Sequence, residues 1–186
     1  MSRQGFAGLD AADCTPANST AIASTTTATQ YWNQALWTPV AANDPRPGKI
    51  YKVCFGGILS TTGTPTVTWA PVWGTSATYA SNAALGISAT VTTGSGLAAV
   101  PVYGEFTLCF RQVGVAAAGA TCVGTGLVTI GNVAAATGAA SVTMGSTVPT
   151  TIDHTIAGAI GVFQTWSANS GSNTTACQWA YIQTLN

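Results

Sequence analysis

The clearest pattern in the chain runs from Val102 to Val113, where Phe106, Leu108 and Phe110 alternate with Glu105, Thr107, Cys109 and Arg111. A period of two sends successive side chains to opposite faces of an extended strand, so this run predicts a long, half-buried β-strand. Ile50 to Leu59 repeats the pattern, with Tyr51, Val53 and Phe55 on one face and Lys52 and Cys54 on the other. Thr66 to Trp73 alternates Val67 and Trp69 and then, after Pro71, brings Val72 and Trp73. Leu36 to Ala41 reads as a strand closed by the rigid turn Ala42-Asn43-Asp44-Pro45-Arg46-Pro47-Gly48. Tyr79 with Leu85 to Val91 is a weaker run, ended by Thr92-Thr93-Gly94-Ser95-Gly96. Cys122 to Ile130, Ala139 to Val148, Thr155 to Trp166 and Thr175 to Leu185 complete the series, and in the last Cys177, Trp179 and Tyr181 are expected to share one face.

Two Ala-rich tracts, Val115 to Ala120 and Val133 to Ala140, invite a helical reading because Ala is the best helix former. Gly114, Gly119, Gly131 and Gly138 bracket them closely and no apolar stripe of helical period runs through, so they read as loops or strand edges. Strands at short spacing without a helix predict an all-β fold, a jelly-roll β-sandwich of about eight to nine strands. Before Tyr31 the character differs: Ser19 to Thr29 is almost entirely Ala, Ser and Thr with one Ile. That composition has little to bury, so residues 1–30 are expected to form a flexible, extended N-terminal arm and residues 31–186 the sandwich domain.

Composition changes the picture most through charge. Charged residues make up 5% of the chain and cancel to a net charge of zero, while apolar residues reach 47% and the mean hydropathy is +0.33. An ordinary soluble domain carries roughly 25% charged residues, and without them the repulsion that keeps copies apart is lost. Burial in a larger assembly is the expected consequence. Arg3, Arg46, Lys49, Lys52 and Arg111 are scattered, which argues against nucleic acid as a partner. No apolar run approaches the ~18 residues of a spanning helix, so no membrane partner is expected. Met1 to Asp13 carries Arg3, Asp10 and Asp13 without an apolar stretch, which is unlike a secretory signal and points to synthesis in a cytoplasm. There Cys14, Cys54, Cys109, Cys122 and Cys177 are expected to be reduced, buried thiols. The sequons at Asn18 and Asn173 carry no weight without export.

Catalysis needs converging titratable groups, and the supply is four Asp, one Glu and the single His154. Asp153 and His154 are adjacent, so an extended backbone would turn them to opposite faces rather than pair them. The cysteines are too widely spaced for a structural zinc site and the carboxylates too sparse for calcium. The sequence therefore leaves no catalytic, cofactor-binding or metal-binding residue to name, and a non-enzymatic role without cofactor is expected. Trp32, Trp37, Trp69, Trp73, Trp166 and Trp179 could build a sugar platform, but most fall on strands, where core or interface packing is the expected use.

One stretch carries a resemblance. Pro39 to Val53 holds Asn43, Gly48, Tyr51 and Val53, and it is followed by Gly57 and by Ser60-Thr61-Thr62-Gly63-Thr64-Pro65-Thr66-Val67-Thr68. This resembles a segment of tailed-bacteriophage virion jelly-roll proteins, in which P-A-N-x-x-x-x-G-x-x-Y-x-V leads to G-x-x-S-T-T-G-T-P-T-x-T; here Val40-Ala41-Ala42 stands where that pattern has a proline before Ala-Asn. The resemblance implies a structural virion component, a capsid decoration or cement protein that stabilises capsomer contacts. Its implied partners are the major capsid protein and further copies of itself, as a homotrimer. The implied location is the capsid surface, after synthesis in the cytoplasm of the infected host. A tail or head-fibre component with a receptor- or carbohydrate-binding role is the alternative.

Overall fold

Strands that are apolar on one face hide that face only against another sheet. A computed structural model of the chain, describing residues 19–33, 37, 39–114, 119–134 and 138–185, shows this arrangement: two antiparallel sheets packed face to face. The strands in chain order are β1 (Thr29–Gln30), β2 (Pro39–Val40), β3 (Ile50–Ser60), β4 (Thr66–Trp73), β5 (Ala83–Ala84), β6 (Ile87–Ser88), β7 (Val91–Thr92), β8 (Val100–Gln112), β9 (Ala120–Ala134), β10 (Gly138–Gly145), β11 (Thr150–Ile152), β12 (Gly158–Trp166) and β13 (Thr174–Thr184). The long strands β3, β4, β8, β9, β10, β12 and β13 carry the sheets, and pieces of two or three residues fill the edges. The fold is an all-β sandwich.

The seven-stranded sheet runs β13-β3-β8-β9-β10-β6, with β11 on β9, and the six-stranded sheet runs β1-β12-β4-β5, with β2 on β12 and β7 on β4. β3 and β4 cross between the sheets alongside β13 and β12, so β3 pairs with β13 in one layer and β4 with β12 in the other. β8, β9 and β10 follow as a meander. The corner between β3 and β4 is the Ser-Thr-Thr-Gly-Thr-Pro segment. Thr61 is buried there, its Oγ1 donating to the Gly94 carbonyl (2.5 Å), while the Thr62 amide donates to Asn173 Oδ1 (3.0 Å) and the Gly63 amide to Ser95 Oγ (3.2 Å). Asn173 is itself buried and holds this corner with its amide.

The alternation read at Val102 to Val113 is present: Val102, Phe106, Leu108 and Phe110 point inward and Tyr103, Glu105 and Thr107 outward. They meet Trp69, Trp73, Ile160, Val162 and Trp166 of the other sheet, with edge-on ring contacts such as Tyr31 to Phe55 (5.4 Å between centroids) and Trp73 to Phe110 (5.7 Å). Each such buried side chain contributes roughly 1.5–3 kcal/mol against exposure. Between the layers, Thr175 Oγ1 of β13 donates to Gln164 Oε1 of β12 (3.1 Å), a buried polar tie.

The elements differ from the sequence reading in places. Tyr79 lies in a 3-10 turn, Tyr79–Ser81, and the weak run to Val91 divides into β6 and β7. Of the second Ala tract, 133–134 end β9 and 138–140 begin β10, while its residues 135–137 and 115–118 of the first lie outside the described residues. Of the segment read as an arm, 1–18 lie outside the described residues and 19–30 lie against the domain. Ile22 is buried and exchanges backbone hydrogen bonds with Thr175 (2.8 and 3.1 Å), its carbonyl also accepts from Trp166 Nε1 (3.4 Å), and β1 pairs with β12. The lone Ile of this polar run is its buried anchor, and the segment's backbone joins β13 at Ile22 and β12 at Thr29–Gln30.

A recurring device sets the strand spacing: a ring on one strand occupies the space above a glycine on its neighbour. Phe55 covers Gly104, directly opposite it, and Phe106 covers Gly124; a Cβ on either glycine would overlap the ring. Gly104→Val is expected to cost about 1–3 kcal/mol through overpacking. Phe55→Ala should cost about 3–5 kcal/mol. In the double variant the two losses should add to clearly less than their sum, because the valine then fills the vacated space. Urea unfolding of the three variants measures this.

Candidate functional site

The two outer faces of the sandwich are not equivalent. On the six-stranded sheet Phe163 is covered by Trp37 (5.9 Å between centroids) and Tyr79 (5.4 Å), and Trp37 sits down on Gly161. β12 is consequently buried along almost its whole length. The seven-stranded sheet shows its outer face to solvent: Tyr103 is 40% and Leu127 38% exposed, and Thr125, Ser141 and Thr143 are exposed beside them.

At the β13-β3-β8 end of this face the register gathers an aromatic corner. Cys54 on β3 lies opposite Glu105 on β8 and Tyr181 on β13, and Gly56 lies opposite Tyr103 and Trp179. With only a thiol and a hydrogen on the central strand, the flanking rings fold over it. The Cys54 thiol is buried at this corner, and the Trp179 indole packs on Gly56, where a Cβ would fall 2.5 Å from its Nε1. Trp179 and Tyr181 are near-parallel (18°, centroids 6.0 Å apart), and Tyr103 is tilted by 47° to Trp179 at 6.1 Å.

The corner also holds charge. Glu105 Oε2 accepts from Lys52 Nζ at 2.8 Å and from the Tyr103 hydroxyl at 2.9 Å. These two bonds hold the Glu105 carboxyl below its ordinary pKa, Lys52 first and Tyr103 second. The bond to Glu105 raises Lys52 in turn. Burial, then the Glu105 bond, raises the Tyr103 phenol, and the Cys54 contact, then burial, raises Tyr181. The corner thus offers a neutral phenol, an ammonium and a carboxylate beside three rings.

The sequence reading placed Cys177, Trp179 and Tyr181 on one face, and the structure corrects this. A bulge at Gln178 interrupts the register between Cys177, opposite Gly57, and Trp179, opposite Gly56. The extra residue reverses the alternation, so Cys177 enters the core while Trp179 and Tyr181 turn outward. Trp32, Trp37, Trp69, Trp73 and Trp166 are all buried, leaving Trp179 as the tryptophan on the open face. Trp179 is the functional candidate that periodicity alone hid.

The other reactive groups sit apart from this corner. His154 is buried between β11 and β12, its carbonyl accepting from the Asn43 amide (2.7 Å). The Asp153 carboxylate is engaged by the Thr155 amide (2.9 Å) and hydroxyl (2.6 Å), and those bonds lower its pKa. Cys54, Cys122 and Cys177 are buried free thiols and Cys109 is partly exposed; Cys14 lies outside the described residues. Among the described residues no three of His, Cys, Asp or Glu gather closely enough to hold a metal ion, and no helix is long and apolar enough to cross a membrane. No family model matches the chain, and no curated protein or solved structure matches it.

Two outcomes are expected from the electrostatics. Because the folded-state pKa of Glu105 is lowered, its ion pair stabilises the fold above the ordinary carboxylate value of ~4.3 and is lost as pH falls through the folded value. The carboxyl resonance of Glu105 should titrate below that of a free glutamate, and Lys52→Met should move it back up. For so solvated a pair the stability at stake is about 0.2–1 kcal/mol. Burial pushes the Cys122 and Cys177 thiols up to about 12, so iodoacetamide at pH 8 should leave both unmodified in the folded protein and label them after denaturation, as read by peptide mass spectrometry.

Proposed function

We propose that this chain is a structural subunit of a virion shell: a capsid decoration protein of the tailed-bacteriophage kind, bound to the major capsid protein and associated with copies of itself as a homotrimer. The observation that carries this reading is a surface poor in charge: among the described residues only Arg46, Lys49, Lys52, Arg111, Asp44, Glu105 and Asp153 are charged. Four of these seven neutralise one another, as Lys49 with Asp44 (3.4 Å) and Lys52 with Glu105 (2.8 Å). Such a surface neither repels its own copies nor attracts polyanions. It suits association through apolar contact and backbone hydrogen bonds.

The segment that carries the resemblance supports the same reading. Its turn is held by Asn43 and Gly48 with positive φ (61° and 84°), and the Gly48 amide donates to the Phe110 carbonyl (2.7 Å). The Tyr51 hydroxyl donates to Asp44 across this turn. Its second half forms the buried corner at Thr61. These residues shape the scaffold, in keeping with a structural role.

Sedimentation at micromolar concentration should show a discrete oligomer, and imaging of purified particles should show hundreds of copies on the shell. A stable monomer that fails to bind capsids, or a handful of copies confined to a tail, would overturn the proposal.

A further inference from the structure

We infer that the aromatic corner formed by Trp179, Tyr181 and Tyr103, with Glu105 and Lys52, is a binding site for a neutral, polyhydroxylated ligand, namely a glycan of uncharged hexopyranose units. This does not depend on the shell proposal, since it concerns a ligand rather than the assembly that displays the site.

Register sets Tyr181 beside Cys54 and Tyr103 beside Gly56, so both rings flank the central strand on the same face. The indole of Trp179 settles on Gly56, and its plane is within 18° of the Tyr181 ring. Trp179 and Tyr181 stack, and Tyr103 stands tilted by 47° beside Trp179. The C–H groups of a pyranose carry partial positive charge and meet the negative face of an aromatic ring. A partly exposed ring face suits a flat sugar ring better than an inserted side chain, which needs a pocket.

The polar groups then select the ligand. A sugar hydroxyl donates and accepts at once, and the corner supplies a carboxylate acceptor and an ammonium donor joined at 2.8 Å, with side chains 32% and 29% exposed. Because the two charges cancel, the corner favours neither an anion nor a quaternary ammonium, and neutral vicinal hydroxyls fit both partners. The placement is also distinctive: Glu105 is the only glutamate in the chain and Trp179 the tryptophan left outside the core, and the fold brings them to the same corner. Next to it, Thr107 and Thr125 continue the face with further hydroxyls.

Native gels cast with soluble neutral polysaccharides (mixed-linkage β-glucan, galactomannan, mannan and dextran) test this on the full chain. At least one should retard the protein, and Trp179→Ala should weaken the retardation by about thirtyfold or more. Glu105→Gln and Tyr103→Phe remove polar contacts without removing a ring and should weaken it by about tenfold or less. They keep the test decisive if Trp179→Ala destabilises the sheet. In the ¹⁵N spectrum the Trp179 indole N–H should shift on adding an oligosaccharide of the retarding polymer, while that of Trp69 stays in place. Migration unchanged in every gel would overturn the inference, as would retardation that survives Trp179→Ala and Tyr181→Ala. So would a Trp179→Ala protein altered only in its sedimentation, because the corner would then be an interface with protein.

Discussion

The fold rests on aromatic rings taking the space above glycines on adjacent strands. Phe55 lies over Gly104, Phe106 over Gly124, Trp73 over Gly158, Trp37 over Gly161 and Trp179 over Gly56, and the Tyr31 hydroxyl fits against Gly57. Protein interiors pack like crystals, so a ring this large in a strand pair requires a matching gap. Glycine supplies the gap while keeping its backbone hydrogen bonds. The arrangement reconciles these glycines with long continuous strands, although glycine alone weakens a strand. It also lets the rings of the two sheets meet edge to face in the core.

The same device acts differently on the two outer faces. On the six-stranded sheet it draws Trp37 onto Gly161 and, with Tyr79, closes that face. On the seven-stranded sheet it lays Trp179 onto Gly56 and leaves the ring reachable from solvent. The sandwich thereby gains one covered side and one open side. The open side combines aromatic rings and threonines with the Lys52–Glu105 pair, whose charges cancel at the aromatic corner. That fits both a subunit that associates closely with its neighbours and a corner that holds an uncharged ligand.

Local pattern reached a good deal of this. The run Thr66 to Trp73 coincides with β4, and the inward set Val102, Phe106, Leu108 and Phe110 is the one periodicity indicates. The alternation of Tyr51, Val53 and Phe55 against Lys52 and Cys54 is likewise present, although Cys54 is buried on the outer face, between Glu105 and Tyr181 of the flanking strands. Ile22 escapes local pattern: a single apolar residue among Ala, Ser and Thr shows no period, and its burial depends on Thr175 of β13 and the Trp166 indole, far away in the chain.

By itself, then, the sequence determined the β class, the inward set of most long strands, and a surface nearly free of charge. These follow from properties of single residues and of their immediate neighbours. Tertiary structure alone decided which strands pair, which outer face stays open and where Trp179 points. A bulge at Gln178 turns on one residue of register against β3, and register is a relation between strands more than a hundred residues apart. The aromatic corner exists only once that register is set, because Lys52, Cys54, Tyr103, Glu105, Trp179 and Tyr181 come from three separate strands.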